Sequence, residues 1–283
     1  MGRGLTLGAV ALLAVAGCDR KAASPGDAAT LGEARGGALT MALPEAVGDI
    51  PISEARLPGR PIVLLDAGHG GKDPGATSEN GDIHEKDIAL ALATELRDRL
   101  AERGRVRVAL TRGDDRFLTL DQRPAIAGRI GASLFVSIHG DSAPNPLAKG
   151  VTVYSLSDVA SSAEAARLAA AENRASGGTG EDEGDAVKAM LADLRLREQM
   201  EESASLADRM VRRARGAVEL RPRPHQFAAF HVLRKAAVPA VLVEAGYLSN
   251  VDDQATLATA GGRKPLVDAL ANAIEAEAAL AQR

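Results

Sequence analysis

His69 stands in the middle of a glycine-rich turn, IVLLDAGHGGKDPGA (residues 62–76), and is one of five histidines in a chain of 283 residues. By itself it admits three readings: a metal ligand, the neighbour of a phosphate loop, or a bystander. His139 in SLFVSIH and Glu244 in PAVLVEAGYLSN share its setting, each at the end of an apolar run, and Glu85 in DIHEKDIALALA follows the glycine turn closely. Two imidazoles and a carboxylate form a borderline-soft N/O set suited to Zn2+, with a fourth position left for water. His84 competes with Glu85 for such a role, but adjacent helical residues point about 100° apart, so one of the two must face elsewhere. His225 and His231 match no motif and read as surface or packing residues.

Other chemistries fail on detail. The turn fits neither G-x-x-x-x-G-K-[ST] nor G-x-G-x-x-G, since Asp73 occupies the last glycine's place when counted from Gly68. No G-x-S-x-G string offers a serine nucleophile. A formal net charge of −4, two tyrosines, four phenylalanines and no tryptophan argue against a nucleic-acid partner.

The elements that must position these residues are legible in the apolar pattern. IVLLDA is a short run bounded by Pro61 and Gly68, as a strand buried on both faces would be. It is followed by a helix in which Asp82 is the expected N-cap, Glu85 stands three residues later, and Ile88, Leu92, Leu96 and Leu100 recur until Gly104. RVRVALT, SLFVSIH, VTVYSL, FHVLR and PAVLVEAGYLSN read as further strands, with helices over Leu120–Ile130 and Pro265–Leu280. The alternation implies an α/β fold: a mostly parallel twisted sheet with helices on both faces, plus an inserted helical segment. In such sheets ligands bind beyond the carboxyl ends of the strands, where His69, His139 and Glu244 fall.

The amino end reads as an export signal, residues 1–17, with one Arg and an apolar stretch over Leu5–Ala16 too short to span a bilayer. VAGC resembles a bacterial lipobox, which implies cleavage before Cys18 and lipidation of it. The alternative is an ordinary secretory signal with an unconnected cysteine. Cys18 is the sole cysteine, so a lipidated chain has no thiol for a disulfide, a zinc thiolate site or catalysis. Residues 18–57, rich in Ala, Gly, Pro and Ser, read as a flexible tether with an r.m.s. span of roughly 35 Å. The expected location is periplasmic, with a membrane as partner through the anchor. Asp19 resembles the inner-membrane retention signal of enteric lipoproteins.

LLDAGHGGKDPGA, HEKDIALALA, SIHGDS and VLVEAGYLSN, in that order, resemble the motif series of the zinc-dependent N-acetylmuramoyl-L-alanine amidases of the Amidase_3 type. The resemblance runs from about Pro61 to the end and makes residues 58–283 the catalytic domain. It implies His69, Glu85 and His139 as ligands of a Zn2+ cofactor and Glu244 as the acid/base. The implied substrate is peptidoglycan, cut at the amide joining the lactyl group of N-acetylmuramic acid to L-alanine. Two departures stand out: Asp141 where the family usually has Asn, and Tyr247 where Phe is commoner.

One insertion, about residues 158–216, interrupts the resemblance. Ser161–Asn173 and Asp185–Arg215 read as helices around the acidic, breaker-rich SGGTGEDEG, with Val187, Met190, Leu191 and Leu194 as an apolar stripe. Amidases of the cell-division type are similar: an inserted helix covers the zinc, and an acidic side chain plugs the open position until an activator protein pulls it away. By that analogy Glu172 is the candidate plug, and a solvated helix-end glutamate is the alternative. A non-catalytic wall-binding protein that keeps the fold is the competing function, although it would not need all four site residues.

Overall fold

Short apolar runs flanked by breakers become strands here, and the longer segments between them become helices. The computed structural model describes residues 48–175 and 186–280; Cys18, the signal segment, most of the tether and SGGTGEDEG lie outside these residues. The described chain runs β1 (Ile52–Ser53), β2 (Ile62–Ala67), α1 (Glu85–Arg103), β3 (Arg107–Leu110), α2 (Gln122–Ile130), β4 (Leu134–Asp141) and β5 (Val151–Leu156). It continues with α3 (Ala163–Ala175), α4 (Ala186–Ala214), β6 (Leu220–Ala228), α5 (His231–Arg234), β7 (Ala240–Tyr247), α6 (Val251–Leu257) and α7 (Ala260–Leu280).

The strands form a seven-stranded sheet in the order β1-β3-β2-β4-β7-β5-β6. β3, β2, β4 and β7 are mutually parallel, β1 is antiparallel to β3, and β5 is antiparallel to β7 while parallel to β6. Side chains alternate across a strand, so each central strand feeds two cores. Val63 and Leu65 of β2 pack in one layer with α1 and α7, while Ile62 and Leu64 pack in the other with α2, α3 and α5. In α1, Ile88, Leu92, Leu96 and Leu100 are all buried, and Gly104 (φ 64°) ends the helix in the left-handed conformation, its N–H donating to Leu100 O.

Several expectations need correction. FHVLR is not a strand: His231–Arg234 is the short helix α5, and the strand is the preceding Leu220–Ala228. Pro222 and Pro224 disguise it, and the sheet tolerates them because β6 is an edge strand, where a missing N–H interrupts no ladder on the open side. His84, not Asp82, is the N-cap of α1, and it makes no side-chain capping bond. The capping box cannot close because both oxygens of Glu85 are engaged elsewhere, on the N–H groups of Ala76 and Gly140. The tether ends before residue 57, since Ile52 and Ser53 pair with β3. The closing helix begins at Ala260, ahead of Pro265.

The inserted segment belongs to the core. Ala165, Leu168 and Ala169 of α3 are buried in one layer, and Leu206, Ala207 and Met210 of α4 in the other. The start of α4 differs: Met190, Leu191 and Leu194 are exposed, so the expected stripe faces outward there. Among the described residues no helix is long and apolar enough to cross a membrane.

Ser203 of α4 ties this segment to the strand that carries Glu244. Its hydroxyl donates to Gln199 O at 2.6 Å and accepts from Ala240 N at 2.9 Å, all buried. Ser203→Ala leaves the first N–H of β7 unpaired and is expected to lower unfolding free energy by about 1–3 kcal/mol in denaturant titrations. An unchanged midpoint would contradict this.

Candidate metal centre

β2 is a switch point of the sheet: the chain next adds β3 on one side of it and β4 on the other. His69 follows β2, His139 lies near the end of β4, and the two rings meet edge to face with centroids 5.0 Å apart. Close backbone approach makes this feasible. A Cβ on Gly68 would stand 2.5 Å from the His139 ring, and one on Gly75 (φ 66°) would stand 2.5 Å from Glu85 Oε2. His69 itself has φ 56°, a left-handed conformation that costs energy for a side chain with a Cβ.

Two buried arginines hold that strained turn. Arg112 donates to Ala67 O and Gly68 O at 2.9 and 2.7 Å, and Arg123 donates to Ala67 O and His69 O at 2.7 and 2.6 Å. Arg123 also pairs at 2.9 Å with Asp66, which is fully buried. Burial alone would raise the Asp66 pKa; Arg123 and the hydroxyls of Thr111 and Ser137 bring it below the usual carboxylate value.

Hydrogen bonds also fix which nitrogen of each imidazole faces inward. His69 Nδ1 lies 2.9 Å from Asp73 Oδ2, and a carboxylate accepts, so Nε2 is left for the site. Ser137 donates to Asp66 Oδ2 at 2.7 Å, so its oxygen is left to accept from His139 Nε2 at 3.1 Å, and His139 Nδ1 faces the site. Glu85 Oε1 sits between the rings, 3.0 Å from His69 Nε2 and 2.9 Å from His139 Nδ1. Glu172 of α3 approaches from the other side, its Oε2 3.4 Å from each of those nitrogens.

These four side chains each bring one ligand atom to within 4.8 Å of the others. His69 Nε2 is buried and, despite the nearby Glu85 oxygen, lacks a hydrogen bond of acceptable geometry. His139 Nδ1 does hydrogen-bond Glu85 Oε1 at 2.9 Å, so it is the His69 nitrogen that is left without a partner and open to a ligand. The donor set, two nitrogens and two carboxylate oxygens, fits a divalent cation such as zinc. The cavity left beside His69, His139 and Glu172 is about 10 Å3, room for one water at most.

Glu244 pairs in register with His139 on the neighbouring strand and is 1% exposed, and neither of its oxygens has a hydrogen-bond partner of good geometry. Burial first, then the charges of Asp141, Glu85 and Glu172, raise its pKa well above the ordinary carboxylate value. Burial and the charges of Glu85 and Glu172 push Asp141 up to about 7, against the Ser142 N–H that favours its anion.

The sequence-selected His69, Glu85, His139 and Glu172 thus come together, with Glu244 in register beside His139. His84 turns to Thr77, 3.2 Å from its hydroxyl, while His225 bonds Ser155 and Asp208 and His231 bonds Asp121, all outside the cluster. Sequence reasoning missed Asp73, Ser137, Asp66 and Arg123. The available signal was Asp66 and Ser137 themselves, polar residues inside otherwise apolar strands.

Residues 63–276 match the family model Amidase_3, described as N-acetylmuramoyl-L-alanine amidase. The chain is 37% identical over 220 residues to N-acetylmuramoyl-L-alanine amidase AmiA of Escherichia coli (strain K12), covering 76% of this chain and 75% of that one. Among solved structures it is similar to N-acetylmuramoyl-L-alanine amidase AmiC2 of Nostoc punctiforme, with 28% identity and a TM-score of 0.58 over 80% of this chain and 99% of that one. It is also similar to the catalytic domain of the amidase CwlV from Bacillus (Paenibacillus) polymyxa var. colistinus, with 28% identity and a TM-score of 0.57 over 76% and 96% of the two chains.

Before a cation binds, burial alone would favour the neutral His69 ring, but the Glu85 charge and the hydrogen bond to Asp73 push its pKa up to about 11 from 6.5. A raised folded pKa stabilises the metal-free fold fully below 6.5, and that contribution is lost as pH rises through about 11. A cation must displace this proton. Calorimetry in buffers of different ionisation enthalpy is expected to show about one proton released per ion at pH 7, with affinity rising about tenfold per pH unit. Binding without proton release would contradict the geometry.

Proposed function

The chain belongs to the Amidase_3 family of N-acetylmuramoyl-L-alanine amidases, and from that membership and the geometry of its centre we propose that it is a zinc enzyme hydrolysing the amide between N-acetylmuramic acid and L-alanine in peptidoglycan. The observation that carries this reading is the convergence of His69 Nε2, Glu85 Oε1 and His139 Nδ1, with the unpartnered carboxyl of Glu244 in register beside them. When bound there, Zn2+ supplies Lewis acidity that polarises a carbonyl and lowers the pKa of a coordinated water to about 7. Asp73 and Ser137 hold the two imidazoles in the tautomers that ligation needs. Glu244 accepts the proton of the attacking water and passes it to the departing amine of L-alanine.

Glu172 keeps the closed form inactive because its carboxyl takes the position that solvent or substrate must enter. Withdrawal of α3 opens that position. An activator protein that binds the inserted segment supplies the free energy for that withdrawal, which suits an enzyme working on a load-bearing wall during daughter-cell separation. The lipid anchor at Cys18 and the tether behind it confine this activity to the periplasmic side of a membrane.

Because α3 buries part of the core, point substitutions test the plug better than deletion of the segment. Muropeptide product analysis is expected to show at least tenfold higher basal turnover for Glu172→Ala. Added to that background, Glu244→Gln is expected to reduce turnover by about 10²–10⁴-fold while the protein keeps its zinc. Wild-type turnover in Glu172→Ala would sink the plug. Undiminished turnover in Glu244→Gln, or tight binding to wall sacculi with no cleavage by any variant, would overturn the enzymatic assignment in favour of a wall-binding protein.

A further inference from the structure

α3 carries a second carboxylate into the same end of the sheet. Glu164 lies eight residues before Glu172, about 12 Å along the helix and about 80° around it. Both of its oxygens accept from Arg221 Nη2, at 2.9 and 2.8 Å, and Tyr247 Oη stands 3.5 Å from one of them. Arg221 in turn lies over the Tyr247 ring, 4.9 Å from its centroid, as a cation–π pair.

This cradle is built from the sheet, not from α3. Tyr247 is fully buried, ends β7 three residues after Glu244, and pairs in register with Asp141. Arg221 sits where the β5–β6 register shifts, and Gly150 (φ 93°) lets the backbone of Leu220 and Arg221 approach to 3.0–3.1 Å from where a Cβ would stand. A guanidinium stacked on a buried ring and already bonded to a carboxylate is a formed carboxylate subsite. As a staple for α3 alone it would be weak, since its partners are 17% and 33% exposed and such pairs contribute little.

Substrate chemistry gives the cradle a task. The centre is crowded with carboxylates (Glu85, Asp141, Glu172 and Glu244), and a stem peptide bearing free carboxylates is repelled unless a fixed cation receives it. We infer that Arg221 and Tyr247 form the subsite for a free carboxylate of the stem peptide, and that Glu164 fills this subsite in the closed form. The inference rests on the amidase assignment. It makes α3 a two-point substitute for substrate: Glu172 at the cation's open position and Glu164 at the carboxylate subsite.

The test uses the full zinc-loaded chain in the Glu172→Ala background, with a muropeptide carrying free stem carboxylates and the same muropeptide with those carboxylates amidated. Arg221→Gln is expected to raise KM for the carboxylate substrate about tenfold with kcat within twofold, and to leave KM for the amidated substrate unaltered. Arg221→Lys, which keeps the charge but loses the fork, is expected to recover part of the loss. Equal effects on both substrates, or none on either, would overturn the subsite. A second arm guards against a merely unstable variant: Glu164→Gln in the otherwise natural chain is expected to raise basal turnover several-fold, and unaltered turnover counts against mimicry. A Glu172→Ala parent that cuts neither muropeptide would refute the amidase assignment itself, and the subsite with it.

Discussion

Buried negative charge is the constraint around which this end of the molecule is organised. Glu85, Glu172, Glu244 and Asp141 lie close enough for their charges to act on one another, and Glu85, Glu244 and Asp141 are almost wholly buried. Ionised carboxylates cannot share such a space without compensation. In the metal-free protein the compensation is protonic: His69 holds its proton to about 11, while Glu244 and Asp141 have raised pKa values. A divalent cation held by His69, Glu85 and His139 would do the same work with a single charge centre and release the His69 proton.

Geometry of that quality needs rigid support. The turn carrying His69 is held in a left-handed conformation by arginine side chains reaching three consecutive carbonyls, and one of them, Arg123, is anchored by the buried Asp66. Asp66 is linked through Ser137 to His139 as well, so both imidazoles answer to one buried carboxylate. The inserted helices join this framework instead of hanging from it. α3 is fastened near its carboxyl end by Asn173, which bonds Ala229 O and His231 N, both at 2.8 Å, and near its start by Glu164 on Arg221. Glu172 is placed by the residue next to it as much as by its own contacts.

Much of this was legible before any coordinates. The apolar runs IVLLDA, LFVSIH and AVLVEAGY placed His69 just past β2 and His139 and Glu244 on β4 and β7, although those strands run on to Asp141 and Tyr247 where the sequence suggested that they end. Glu85 was legible by position but misassigned in part, since its carboxylate serves the site and not a capping box. β6 was hidden by Pro222 and Pro224, which an edge strand can carry and a central one cannot. Glu172 was reached through family resemblance alone; nothing in AAENRASG distinguishes it from a solvated glutamate. Glu164 and Arg221, 57 residues apart, gave no local signal, because their meeting depends on how β5 and β6 shift register.

The most direct test of the account is an anomalous diffraction map at the zinc edge from crystals of the full chain grown with Zn2+. The account predicts one strong peak within about 2.0–2.2 Å of His69 Nε2, a Glu85 oxygen and His139 Nδ1. A map with no peak there, or with zinc held by other residues while the three side chains stay hydrogen-bonded to one another, would contradict it.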